Sequence, residues 1–173
     1  MSIRTSIDPD QNRFASFRFK TNDTLRLAGG LGLQDLRTLE VNGHHAVLAD
    51  RRLFVVLLIL IVHALQSTRR RMPFHVPSGP SMSAKTILLV IDRLKVSHPV
   101  LFEGIFESAS DQTIVGLIHD LRRVFSDLSA HPKLLETGPS NRGYRLSTPP
   151  RNLSLRELGG LCPAGGSADQ IAA

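Results

Sequence analysis

The chain has 173 residues, enough for one compact domain with tails. Hydrophobic residues at 42% and charged residues at 21% exclude a disordered polyelectrolyte, and with aromatics at 5% and no Trp the core must be built from Leu, Ile and Val. The lone cysteine, Cys162, excludes an intrachain disulfide and a thiolate zinc cluster, while a formal net charge of +6 asks for an acidic partner without choosing between nucleic acid and an anionic membrane surface.

Residues 1–22 read as a flexible arm with a basic-aromatic patch at Arg13-Phe14 and Phe17-Arg18-Phe19-Lys20. The opening Met-Ser-Ile-Arg lacks the apolar stretch of a secretory signal, which points to a cytoplasmic protein. Leu25-Arg26-Leu27 is a first short β-run, followed by Gly29-Gly30. Leu36 to Val41 alternates apolar and polar residues with one slip. Asn42-Gly43 predicts a tight hairpin turn, because both residues tolerate positive φ, and His44 to Leu48 is the return strand.

Asp50 is placed to cap a helix from about Arg51 to Gln66. Its stretch from Leu53 to Leu65 is apolar almost all round, so the helix belongs in the centre of the domain. The run resembles a short membrane anchor flanked by Arg69-Arg70-Arg71. It falls well short of the roughly 20 apolar residues that a spanning helix needs, so no membrane is expected. The three arginines read equally as a phosphate-contacting loop and as a solvated charge run within a Pro- and Gly-bearing loop over 67–82. A second helix is predicted from about Ser83 to Lys95, with Ile87, Leu88, Ile91 and Leu94 at helical spacing. His98-Pro99 breaks it, and 99–110 read as irregular.

The clearest element is a third helix over 111–128, capped by Asp111. Ile114, Leu117, Ile118, Leu121, Val124, Phe125 and Leu128 form its inner stripe. The opposite face carries Gln112, Val115, Gly116, His119, Arg123 and Ser126, with Arg122 at its edge. Two short strands, 134–137 and 143–146, then flank Gly138-Pro139-Ser140-Asn141 as a hairpin. After Pro149-Pro150, Ser154 and Glu157 have the spacing of a capping box for one helical turn, and the rest of 149–173 reads as a flexible tail.

No enzyme pattern stands out. The seven histidines lack metal-ligand spacing, and Gly29-Gly30-Leu31-Gly32 lacks the Gly-Lys-Ser/Thr ending of a phosphate loop. Neither a cofactor nor a catalytic role is expected.

A helix followed at once by a hairpin is an arrangement used to read DNA, with the helix in the major groove and the hairpin tip on the adjacent backbone. Here the residues carry a resemblance. Leu121-Arg122-Arg123, Leu135-Glu136-Thr137 and Arg142-Gly143-Tyr144-Arg145-Leu146 resemble the winged helix-turn-helix effector domain of OmpR/PhoB-type regulators. Leu39-Glu40-Val41-Asn42-Gly43, running through Val47-Leu48 into the apolar helix, is similar to that family's leading sheet and first helix. The resemblance covers roughly 33–148 and implies an α+β fold: a small N-terminal antiparallel sheet, three helices and a C-terminal wing within a domain at 23–148. It implies that Gln112, Val115, Gly116 and His119 face bases, that Arg122 and Arg123 lie nearer phosphates, and that Ser140, Asn141 and Arg142 reach DNA from the wing; on the phosphate-contacting reading of their loop, Arg69, Arg70 and Arg71 would add contacts to the backbone. It also implies duplex DNA as partner, a homodimer, and RNA polymerase or another regulator at the loop over 96–110. The departures expected from the family are a missing receiver domain and Asp120 at the edge of the DNA face. Two other readings stand beside it: a winged-helix module that binds a protein, and a membrane-associated protein using residues 53–71.

Overall fold

Leu25–Ala28 (β1) sends Leu25 and Leu27 inward and Arg26 to solvent, the alternation that a half-buried strand requires. It belongs to a computed structural model that describes residues 19–68, 71–138, 142–159 and 161. Thr38–Val41 (β2) pairs antiparallel with β1, and His44–Val47 (β3) pairs antiparallel with β2. Asn42 and Gly43 link β2 to β3 with φ of 50° and 84°, the two positive values that match a two-residue turn to strand twist. The slip in the alternation marks the true start of β2. Leu36 is exposed, whereas Arg37 is buried and donates to the carbonyls of Gly30, Gly32 and Leu48.

The helices are Arg51–Leu65 (α1), Ala84–Ser97 (α2) and Asp111–Asp127 (α3). Asp50 caps α1 by accepting from the Arg52 backbone at 2.9 Å. Burial alone would raise the Asp50 carboxyl, but the Arg52 hydrogen bonds and charge outweigh it and hold it below its ordinary range. Ser83 caps α2 by accepting from the Thr86 backbone at 3.1 Å. Leu135–Thr137 (β4) and Tyr144–Leu146 (β5) form the expected hairpin after α3.

The C-terminal part departs from expectation. Leu153–Arg156 (β6) is a strand, not a helical turn, and pairs parallel with β1, Leu25 opposite Leu153. Ser154 and Glu157 have capping-box spacing, but Leu153 and Leu155 recur with a period of two, and the sheet wins. The leading sheet is therefore mixed, in the order β3-β2-β1-β6, rather than antiparallel. Leu158 and Leu161 are buried too, so the folded part extends beyond the boundary expected at 148. At the other end, the Lys20 and Thr21 backbones donate to Ser147. The fold is α+β, with three α-helices among the described residues, a mixed four-stranded sheet and a two-stranded antiparallel sheet.

All-round apolarity places α1 in the middle of this assembly. Phe54 to Val62 are buried without interruption, and the helix packs against α2, α3, β5 and β6. The segment Arg51–Thr68 is long and apolar enough to cross a membrane by length and composition, with a mean hydropathy of 1.6. Here its apolar side chains are enclosed by the rest of the domain. His63 is the ionisable group among them. Burial pushes its pKa down, partly countered by a hydrogen bond with the Gly79 backbone.

Leu155→Ala should cost about 2–5 kcal/mol in urea unfolding, whereas the outward Arg156→Ala should change stability by less than about 0.5 kcal/mol. Because the folded His63 resists protonation, the unfolded chain takes up the proton first. Stability is then full above the ordinary histidine value of 6.5 and falls as pH drops through the lower folded value. Thermal melts between pH 7.5 and 5, values set around the ordinary histidine pKa, should show this fall, and His63→Gln should flatten it.

Candidate nucleic-acid interface

The outer face of α3 is built from its start. Ser110, not Asp111, is the N-cap: its backbone N–H donates to Thr113 Oγ1 at 3.0 Å. Asp111 is the first helical residue, where a negative charge meets the positive end of the helix dipole. Ile114, Leu117, Ile118, Leu121 and Phe125 are buried, which turns Gln112, Val115, Gly116, His119, Arg123 and Ser126 outward, all exposed. The connection from α2 is not loose. Phe102, Ile105 and Phe106 are buried, and Lys95 Nζ donates to the Phe106 carbonyl at 2.9 Å.

Arg122 takes a different place from Arg123. It is half-buried and turned to the wing, where Nε donates to the Leu135 carbonyl at 3.1 Å and Nη2 to Thr137 Oγ1 at 3.0 Å. Its guanidinium lies 5.9 Å from the Tyr144 ring centroid, within cation–π range. The expectation that it faces phosphate gives way to a structural role, a strut between α3 and the hairpin.

The base of the wing has a third backbone partner. Met82, between α1 and α2, bridges Tyr144 in both directions, at 2.9 Å from Met82 N and 2.8 Å from Tyr144 N. The approach depends on Gly143. Its φ is 90°, and a Cβ there would lie 2.6 Å from the Met82 carbonyl. Ser81 Oγ donates to the Arg142 carbonyl at 2.6 Å. Glu136 and Arg145 form a cross-strand ion pair, with side chains mostly shielded from solvent. Sequence reading placed Ser81 and Met82 in a loop; the glycine directly before an alternating strand was the one local sign that another backbone lies close.

Arg142 is exposed where the chain re-enters β5, and Arg71 is exposed after α1. Ser140, Asn141, Arg69 and Arg70 lie outside the described residues. Around α3 the exposed charges are Arg123 against Asp111, Asp120 and Asp127, with His119 Nδ1 at 3.9 Å from Asp120. The helix thus presents a polar, groove-sized face rather than a positive field. No known protein family, curated protein or solved structure matches the chain.

The strut gives a direct test. Arg122→Ala should lower stability by about 1–3 kcal/mol, since it removes charge-assisted bonds to a carbonyl and a hydroxyl. The exposed Arg123→Ala should stay within about 0.5 kcal/mol. Chemical denaturation of both variants separates the two roles.

Proposed function

We propose that this chain is a winged helix-turn-helix transcription regulator of the OmpR/PhoB type that binds a specific duplex DNA site. The reading is carried by one observation: the exposed polar face of α3 is followed directly by a hairpin tied to that same helix through Arg122. A helix about 10–12 Å across fits a major groove about 12 Å wide, and the wing then meets the adjacent backbone or minor groove. Gln112 and His119 supply hydrogen bonds to base edges, Val115 a surface for a thymine methyl, and Gly116 close approach. Arg123, Arg142 and Arg71 supply phosphate contacts. The protein acts in the cytoplasm without a cofactor. It works as a homodimer, because the three aspartates on α3 weaken a single copy's attraction for phosphate. RNA polymerase or another regulator meets the segment over 96–110.

Selection of bound duplexes from a random pool should yield a single motif. On that site, Arg123→Ala and Arg142→Ala should each weaken binding about tenfold and reduce the salt slope by about one. Gln112→Ala should relax preference at one position, and Asp120→Asn should tighten binding. Unchanged affinity in both arginine variants would overturn this placement of the DNA.

A second reading draws on α2 and the connection after it, where Leu89, Val96 and Val100 are 51%, 83% and 79% exposed. An apolar surface of this kind suits a protein partner. No enriched motif from the folded protein, together with a stable complex lost on Val96→Asp, would favour it.

A further inference from the structure

Part of the positive charge gathers on the sheet face turned away from α1. Arg26, Arg151 and Arg156 line one cleft of about 320 Å3, together with Ser154, Asn152 and Glu40. Strand register builds it. Arg26 stands opposite Ser154 in the parallel β1–β6 pair, and Arg156 lies two pairs further along opposite Ala28. Leu25, Leu27, Leu153 and Leu155 go to the core, so residues 26, 154 and 156 share the outer face. With strands about 4.8 Å apart, Arg26, Ser154 and Arg156 are neighbours on that face and line the same cleft. Arg151 joins them from the turn that leads into β6, Pro150–Asn152.

One carboxylate answers three guanidinium groups. Glu40 lies 3.8 Å from Arg26 and is shared with His45 at 3.6 Å. Arg151 and Arg156 have no acidic partner among the described residues. The cleft therefore carries a formal surplus of two positive charges, three arginines less one glutamate. Like charges held this close repel, and an anion with several oxygens relieves that repulsion while accepting forked N–H donors. Among the described residues no aromatic ring lines the cleft to stack a base, and its volume is at the small end for ligand sites.

We propose that this cleft binds a phosphate monoester or diphosphate group carrying two or more negative charges. The site stands apart from α3 and the wing and does not depend on the DNA-binding reading. The full chain is titrated by calorimetry at low ionic strength with pyrophosphate, and in parallel with phosphatidylcholine vesicles containing phosphatidic acid. Saturable binding is expected, weakened about tenfold by Arg151→Ala and by Arg156→Ala, each the loss of a charge-assisted contact. Glu40→Gln should tighten it several-fold. Asp92→Asn, an equal change in net charge on the exposed surface of α2, should leave it unchanged. Binding in the soluble arm alone assigns a soluble phosphate, and binding in the vesicle arm alone assigns a lipid headgroup; both support the site when they depend on the two arginines. The proposal is overturned by no saturable binding in either arm, by unchanged affinity in both arginine variants, or by equal tightening from Asp92→Asn and Glu40→Gln. Duplex DNA binding is measured on the same variants. Its retention separates the two sites, and its loss in Arg151→Ala and Arg156→Ala would place DNA on the cleft and sink the phosphate-ligand assignment.

Discussion

The fold depends on enclosing α1. A helix that is apolar on every side needs a wall in every direction, because each aliphatic side chain left in water forfeits about 1.5–3 kcal/mol. A single sheet or helix covers only one side. Here β6 closes one side, α2 and α3 others, and β5 another. That demand explains why the C-terminal segment returns to pair with β1 across nearly the whole chain. Leu153, Leu155, Leu158 and Leu161 continue the wall that Leu25 and Leu27 begin. It also couples the surfaces. α3 and β5 both rest on the central helix, so the angle between the outer face of α3 and the β4–β5 hairpin is set in the core and then fixed by Arg122.

Elements with local signals were legible in the sequence. Asn42-Gly43 states its turn through two residues that accept positive φ, and α3 states its inner face through seven apolar positions in helical order. What was not legible is non-local. β6 reads locally as four residues with a capping-box pair, and nothing near it shows that its partner is β1. Arg37 looks like an ordinary polar residue that breaks an alternation, yet it is buried because four loop carbonyls converge on it, those of Gly30, Gly32, Leu48 and Ala49. At the candidate site, the outward set of α3 could be read from a helical wheel. The inward turn of Arg122 could not, since its bonds are to Leu135 and Thr137 across a change of direction in the chain.

Two adjacent arginines in one helix thus do opposite things, and the cause is angular. A step of about 100° carries Arg123 to the solvent face and leaves Arg122 over the hairpin. Once Arg122 is held by a carbonyl, a hydroxyl and the Tyr144 ring, its charge serves cohesion between the elements. The exposed surface of α3 then has one arginine against three aspartates. On the DNA-binding reading proposed above, such a helix would gain little from long-range attraction and would rely on shape, on hydrogen bonds from Gln112 and His119, and on cations at the flanks such as Arg71 and Arg142.

The distribution of the remaining charge follows the same logic. With the central helix enclosed, the outward positions of β1 and β6 are free of packing duties, and their identity is not dictated by the core. Leu at 25, 27, 153 and 155 is demanded by burial, whereas Arg at 26 and 156 is demanded by nothing inside the fold. Three arginines lining one cleft with a single carboxylate between them raise the free energy of the isolated chain slightly through mutual repulsion. A fold that accepts this on the face opposite its core, while leaving α3 acidic, separates two kinds of surface. One is the polar, convex face of α3, which the proposed function assigns to reading base edges. The other is a small positive basin, suited to holding one compact anion.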